Sequence, residues 1–264
     1  MAKASKVDLL RHLLGPGDPG SGDVASFDVS AGRDRVPVQV SGRASSGKCL
    51  LFSTGFASSR LDYGALCRLF EDDHLVVRIG HPGSGRWDGL KALGRLFWYR
   101  WVMKMEKQEA ARRVRGWIHC ESNCLRRRQH LLSVAEEMGR RYQMDQVCLA
   151  GHSFGTDTAL RGALALNSEH LYLFSPHPPG YLISEKEYSR LTSDSIWLIT
   201  GTLDRTRDGV GPEERLRVAE VCEAKTINLK GVRHMDFAFA QLGPRGWLGQ
   251  LKAELFGETV TSQQ

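Results

Sequence analysis

The chain is predicted to belong to the α/β class, with a mainly parallel central sheet and helices on both faces. Three observations predict this architecture. Short apolar runs without polar alternation recur along the sequence, as in strands buried on both faces. Helix-forming stretches separate most of them. The 264 residues, 41% hydrophobic and 25% charged, are enough to bury one large core. We expect a single domain over residues 1–264, with a helical insertion at about 90–142.

The individual elements follow from apolar periodicity. Residues 25–30 and 36–40 alternate partly between apolar and polar side chains around a turn at Gly32, which predicts a hairpin. Buried strands are predicted at 49–53, 74–79, 147–150, 171–175, 196–200 and 225–229, and helices at about 61–71, 90–142, 158–166, 185–191 and 213–223. In such a sheet the reactive groups gather beyond the carboxyl ends of the strands, which directs the search for a site.

The sequence carries no targeting or membrane signal of the usual kinds. Its first residues lack the apolar segment and small-residue cleavage site of a secretory signal, and no stretch reaches the roughly 18 apolar residues of a membrane span. We expect a soluble cytoplasmic protein, unless an export segment preceded this sequence.

Six cysteines show no regular spacing, so free thiols are expected. Cys120 and Cys124 lie one helical turn apart with His119 and His130 nearby, which suggests a metal site as an alternative. That spacing matches no common zinc pattern, and we expect neither a metal nor an organic cofactor.

The net charge of +6 comes largely from one basic segment, residues 100–128. No recognition motif for nucleic acid accompanies it, so no nucleic-acid partner is expected. A solvated helical face is the expected role of this segment.

A serine in a strand–turn–helix setting is the strongest functional signal. Gly-His-Ser-Phe-Gly at 151–155 follows the apolar run 147–150 and precedes a helix-forming stretch, which puts Ser153 at the apex of a sharp turn. Glycines two residues before and two after the serine leave room for the adjacent strand and helix backbones. The motif predicts a nucleophile.

A nucleophilic serine needs a base for its proton and a carboxylate that orients the base. Of nine histidines, His234 is best placed, in the loop after the last predicted strand; His177 is the alternative. Asp204 lies just beyond the strand at 196–200 and is the predicted acid. Asp208 and Asp236 are close enough in sequence to compete, although each also suits a turn or a helix cap.

Catalysis of acyl transfer also needs donors for the oxyanion. Removing one such donor typically costs about 2.7 to 4 kcal/mol of transition-state stabilisation. The backbone N–H of Phe154, directly after the serine, is the first predicted donor. The loop at 53–60 should supply the second, which we assign to the N–H of Phe56.

Several segments, taken together, match one family. They are Thr-Gly-Phe-Ala-Ser-Ser-Arg-Leu-Asp-Tyr at 54–63, His-Pro-Gly-Ser at 81–84, the serine motif at 151–155, Gly-Thr-Leu-Asp at 201–204 and His-Met-Asp-Phe at 234–237. Over about residues 47–240 the chain resembles the α/β-hydrolase superfamily, and within it the bacterial serine hydrolases related to dienelactone hydrolase and platelet-activating-factor acetylhydrolase. The order Ser153, Asp204, His234 is that of the superfamily.

The sequence departs from the family pattern at three places. Thr54-Gly55 replaces the usual His-Gly of the oxyanion loop, and Thr156 replaces a usual glycine after the serine turn. Ser153 stands where true dienelactone hydrolases have cysteine, which favours ester hydrolysis over that reaction.

The resemblance implies a serine carboxylesterase that acts on a small ester or thioester through an acyl-enzyme. Thioesterase or acyltransferase chemistry on the same triad remains open, because pocket shape selects the leaving group and acceptor. A catalytically silent binding module is a further alternative. The oligomeric state does not follow from the sequence.

The predicted insertion contains an unusually aromatic segment, Leu-Phe-Trp-Tyr-Arg-Trp-Val-Met at 96–103. One interpretation is a lid that lines an acyl or aryl pocket. The alternatives are attachment to a membrane surface through aromatics flanked by Arg100, Lys104 and Lys107, and ordinary packing of an amphipathic helix against the sheet.

Overall fold

The structure, a computed structural model, describes residues 25–178, 184–191, 195–205 and 210–257. Its centre is an eight-stranded sheet with the order β1-β2-β4-β3-β5-β6-β7-β8. The strands are β1 (Ala25–Ala31), β2 (Asp34–Gly42), β3 (Lys48–Ser53), β4 (Leu75–Ile79), β5 (Gln146–His152), β6 (His170–Phe174), β7 (Ser195–Gly201) and β8 (Lys225–Leu229).

The sheet is antiparallel at one edge and parallel elsewhere. β1 and β2 form the expected hairpin, in which Val29 pairs with Val36, and β2 pairs antiparallel with β4. From β4 to β8 every neighbouring pair is parallel. The predicted α/β class with a mainly parallel sheet is confirmed.

Eight α-helices are described, with short 3₁₀ turns between some of them. They are α1 (Gly64–Cys67), α2 (Arg86–Phe97), α3 (Lys107–Ile118), α4 (Glu121–Tyr142), α5 (Phe154–Ala163), α6 (Glu185–Tyr188), α7 (Pro212–Cys222) and α8 (Trp247–Phe256). The helix predicted at 61–71 is a single α-turn between 3₁₀ turns.

The helical pattern at 90–142 is divided into three helices. α2 runs into a π-turn at Trp98–Val102, and Lys104, before α3, has a φ of +52°. A second break separates α3 from α4 at His119 and Cys120. Neither break contains glycine or proline, so no local signal marks it.

Two apolar clusters lie on opposite faces of the sheet. The first includes Leu131 and Val134 of α4 and Leu160 of α5, packed against inward side chains of the strands. The second includes Tyr63 and Phe70 near α1 and Leu251 of α8. Helix α4 therefore packs on the sheet as part of the core, whereas α2 and α3 contribute no residue to either cluster.

None of the helices in the described part of the chain combines the length and the hydropathy that a bilayer crossing requires.

The parallel strands β3, β5, β6, β7 and β8 all end at one edge of the sheet. The loops that follow them carry the predicted site residues, as expected for a parallel sheet.

Candidate active site

Ser153 occupies a strained turn between β5 and α5. Its backbone angles are φ 53° and ψ −119°, outside the ordinary regions for a residue with a side chain. A Cβ at Gly151 would lie 2.2 Å from the carbonyl oxygen of Gly155, and one at Gly155 would lie 2.0 Å from that of Ser53. The tight turn therefore requires both glycines, and it leaves the serine side chain partly exposed at the sheet edge.

The unusual Thr156 fits this turn without disturbing it. Its side chain is fully buried, and its Oγ1 donates a hydrogen bond of 2.5 Å to the carbonyl oxygen of Ser153. The hydroxyl therefore satisfies a carbonyl of the turn, and packing accommodates the added atoms.

His234 and Asp204 come together from the loops after β8 and β7. His234 Nδ1 lies 2.9 Å from Asp204 Oδ1. The second carboxylate oxygen of Asp204 accepts hydrogen bonds from Ser175 Oγ and, at 3.1 Å, from Thr200 Oγ1. Asp204 is thus completely buried, and both of its carboxylate oxygens have hydrogen-bond partners.

The charge of Asp204 is stabilised despite its burial. Burial by itself raises the pKa of this carboxyl, but His234, the Arg215 guanidinium and Ser175 outweigh it and hold the pKa well below its ordinary range. Arg215 Nε lies 3.4 Å from Asp204 Oδ1. Asp204 is therefore an anion at neutral pH, suited to orient and stabilise a histidine.

His234 is poised as a base. Burial lowers its pKa below the ordinary 6.5, although the hydrogen bond with Asp204 raises it in part. Because Nδ1 faces Asp204, Nε2 is the nitrogen left to take a proton. Across the described residues Ser153 Oγ makes no hydrogen bond, so the structure unites His234 with Asp204 but does not close the link to the serine. Such links are often long in enzymes without substrate.

His152, next to the nucleophile, connects the turn with the loop of His234. Its Nε2 lies 2.9 Å from the carbonyl oxygen of His234, so this nitrogen carries the proton and donates it. Its Nδ1 then accepts from the Tyr63 hydroxyl, 2.9 Å away. The Gly55 N–H donates to that same hydroxyl at 3.1 Å. One buried chain of hydrogen bonds thus joins three loops of the site.

The two predicted oxyanion donors are the backbone N–H groups of Phe154 and Phe56. Phe154 is the first residue of α5, where a backbone N–H has no acceptor within its own helix. The Phe56 N–H makes no hydrogen bond with any described residue. The Phe56 ring meets Trp117 of α3 edge-on, with ring centroids 6.4 Å apart.

Arg127 is a site-supporting residue that the sequence assigned to a solvated face. It is 1% exposed, and its guanidinium donates to the carbonyl oxygen of Thr54 and, at 2.9 Å, to Thr158 Oγ1. It also lies over the Phe154 ring at 4.4 Å. The prediction was wrong for Arg127 because this residue lies on the buried face of α4 with Cys124, His130 and Leu131.

The competing candidates have other roles. His177 Nδ1 is 2.9 Å from Asp157 Oδ2, so it pairs with a different carboxylate. Asp236 Oδ2 accepts from the Arg233 N–H at 2.8 Å and caps a 3₁₀ turn. Asp208 lies outside the described residues.

The cysteine–histidine grouping around residue 120 does not form. His130 Nε2 lies 2.8 Å from Asp34 Oδ2, Cys120 Sγ lies 3.3 Å from Ser122 Oγ, and the metal-ligating side chains that converge among the described residues do not include the cysteines. The six cysteines are free thiols. His119 instead meets Asp157 and His177.

The aromatic segment is exposed. Trp98 and Trp101 are 54% and 71% exposed, and Phe97, Val102 and Met103 are exposed with them. We call these five residues the aromatic patch. Ordinary packing against the sheet is therefore wrong for this part of the segment, and the lid and membrane-surface interpretations remain predictions.

No protein-family profile matches the chain. No curated protein matches it closely enough to indicate a relationship. Solved structures do match, at low sequence identity. A predicted CIB-like hydrolase from Thermoplasma acidophilum is 11% identical with a TM-score of 0.63, over 90% of this chain and all of that one.

Two further structures agree. Naproxen esterase from Bacillus subtilis is 10% identical with a TM-score of 0.62, over 97% of this chain and 100% of that one. Dienelactone hydrolase from Anabaena variabilis is 14% identical with a TM-score of 0.58, over 88% and 94%. The three matches extend over 88–97% of this chain and confirm the expected fold. The chain adopts the α/β-hydrolase fold.

Proposed function

We propose that the protein is a serine hydrolase that cleaves carboxylic esters through Ser153, His234 and Asp204. One observation carries the proposal most directly: the 2.9 Å contact of His234 Nδ1 with a buried, ionised Asp204. A histidine held in this way beside a strained serine turn is the arrangement that activates a hydroxyl.

The reaction follows from the positions of these groups. Ser153 Oγ attacks the ester carbonyl while its proton passes to His234 Nε2, and Asp204 stabilises the resulting imidazolium. The N–H groups of Phe56 and Phe154 receive the negative charge of the tetrahedral intermediate. His234 then protonates the departing alcohol. Water, activated by the same histidine, releases the acid and restores the serine.

The structural neighbours support the hydrolase class and leave the substrate open. These neighbours include carboxylesterases from Bacillus subtilis and an alpha-beta serine hydrolase homologue from Coxiella burnetii. A thioester would react on the same groups, and so would transfer of the acyl group to another alcohol. A silent binding module is the contrasting possibility, favoured by the missing hydrogen bond from Ser153 Oγ.

A fluorophosphonate probe tests for an activated serine. We expect the wild-type protein to be labelled, and labelling to be lost in Ser153→Ala and His234→Ala. His170→Ala is the matched control, because His170 begins β6 at the opposite edge of the sheet and should leave labelling unchanged. Turnover of p-nitrophenyl esters of increasing acyl length then defines the substrate class. A folded wild type that resists the probe would refute the proposal.

A further inference from the structure

Three side chains with metal-ligating atoms converge beside the serine turn. They are His119 at the end of α3, Asp157 of α5 and His177 in the loop after β6, and one ligand atom from each lies within 4.8 Å of the others. The rings of His119 and His177 are 4.9 Å apart and nearly perpendicular. Asp157 is 1% exposed and His177 8%. Three separate segments thus bring their metal-ligating atoms together in one largely buried cluster.

This cluster shares no residue with the proposed triad. Asp157, on α5, lies one helical turn beyond Ser153, and the rings of His119 and Phe154 meet edge-on with centroids 4.4 Å apart. His177 uses Asp157 as its carboxylate partner, and His234 uses Asp204. The cluster borders the candidate active site but serves none of the steps of ester cleavage.

We propose that His119, Asp157 and His177 bind one divalent transition-metal ion of the Zn²⁺ class. Two imidazoles and one carboxylate are a donor set that such ions accept, with further positions open to water. One carboxylate oxygen, Asp157 Oδ1, is buried and has no hydrogen-bond partner among the described residues. Such an oxygen is costly to bury unless something pairs with it, and a bound cation would supply the pairing.

The spacing requires only a small adjustment. Bonds from Zn²⁺ to imidazole nitrogen and carboxylate oxygen are about 2.0–2.2 Å, so two ligand atoms on one ion are at most about 4.4 Å apart. In the structure the three ligand atoms lie within 4.8 Å of one another, which is close to that value. If the ion binds His177 Nδ1, it replaces the 2.9 Å hydrogen bond with Asp157 Oδ2, and the neutral imidazole then carries its proton on Nε2.

The surroundings select the kind of ion. Arg127 interacts electrostatically with Asp157, so its positive charge opposes a cation held by charge alone. Ca²⁺ and Mg²⁺ prefer oxygen ligands and gain little from two imidazoles. An ion that forms strong bonds to nitrogen is therefore favoured.

Metal titration of the full chain tests the proposal. Protein stripped with a chelator is titrated with Co²⁺, whose visible spectrum reports the ligands, and with Zn²⁺ by calorimetry. We expect one equivalent to bind with a spectrum of nitrogen and oxygen ligands. His177→Gln and Asp157→Asn should each weaken binding at least about tenfold, the loss that even an outer-shell partner causes. His130→Gln is the matched control, a buried histidine paired with Asp34 outside the cluster.

Three results would overturn the assignment. The first is a folded wild-type protein that binds no metal, and the second is binding by both His177→Gln and Asp157→Asn that is as tight as that of wild type. The third is a Co²⁺ spectrum dominated by thiolate ligands from the free cysteines. Ser153→Ala should bind the metal as wild type does. Failure of ester hydrolysis and failure of metal binding are therefore observed separately.

Discussion

The side chains that organise the site include several that have no reactive role. Tyr63, His152 and Arg127 are all buried, and each donates or accepts hydrogen bonds with the loops that carry the proposed catalytic groups. Burial raises the pKa of the Tyr63 hydroxyl and lowers that of His152, so both are neutral at pH 7. They act as fixed dipoles between Gly55 and His234.

Removing the Tyr63 hydroxyl should therefore affect both stability and rate. In Tyr63→Phe the Gly55 N–H and His152 Nδ1 lose their partner, and a buried group left unpaired costs about 1–3 kcal/mol. We expect a decrease of that size in the free energy of unfolding, measured in urea, with a fall in kcat.

Tyr172→Phe is the control for this change. Tyr172 is a buried tyrosine whose hydroxyl makes no hydrogen bond to any residue that the structure describes. Equal losses in the two variants would show that the hydrogen-bond chain through Tyr63 has no special importance.

The pH dependence should report the environment of His234. A general base acts only when neutral, and burial lowers the pKa of His234 below 6.5 despite the opposing effect of Asp204. As the pH falls, kcat/KM should stay high until the pH passes the lowered pKa. We expect the half-maximal point of the acid limb below pH 6.5, measured in a pH-stat with a short-chain ester. A midpoint above 6.5 would contradict this environment.

The decisive elements are the tight connections at the carboxyl ends of the strands. The turn from β5 to α5 forms only because Gly151 and Gly155 permit backbones to approach closely. The helices outside the sheet obey other constraints: α2 touches the candidate oxyanion loop where Gly89 meets Ala57, and Arg95 lies over Trp117. These contacts attach α2 and α3 to the site.

A pair of glycine substitutions separates close packing from helix propensity. Gly155→Ala places a Cβ against the backbone of Ser53. We therefore expect the free energy of unfolding to fall by about 1–3 kcal/mol and probe labelling to be lost. Gly94→Ala, in α2, meets no atom within 4 Å and should stabilise the protein by up to about 1 kcal/mol. Urea unfolding of both variants measures the difference. A tolerated Gly155→Ala would mean that the turn can relax.

At the scale of the whole molecule, the aromatic patch is the main exposed apolar surface of the described helices. Phe97 and Trp101 stack on each other at 5.7 Å, and basic residues Lys91, Arg100 and Lys104 lie near them in sequence. The patch continues from α2, which contacts Ala57 in the predicted oxyanion loop. Both the lid and the membrane-surface interpretations use this position to bring an acyl chain toward Ser153.

Polar substitutions in the patch should change substrate preference without harming the fold. Because Trp98 and Trp101 are largely exposed, the double variant Trp98→Gln, Trp101→Gln should unfold at the same urea concentration as wild type. We expect hydrolysis of long-chain esters to fall relative to short-chain esters.

Trp87→Gln is the matched control, since Trp87 is 76% exposed but lies outside the patch. Addition of anionic vesicles distinguishes the two interpretations, because only a membrane-surface role predicts binding that the double variant loses. An unchanged chain-length preference together with no vesicle binding would exclude both roles.

The amino-acid sequence by itself determined the strands, the serine turn and the choice of Asp204 and His234 as candidates, because each depends on a local pattern and on the rule that parallel strands end at one edge. It did not reveal Arg127, the chain through Tyr63 and His152, or the meeting of His119 with Asp157 and His177. These residues are far apart in sequence, and only close packing of separate segments decides which buried polar groups become partners. The sequence also did not reveal how the helical region is divided, because its breaks carry no glycine or proline that would mark them locally.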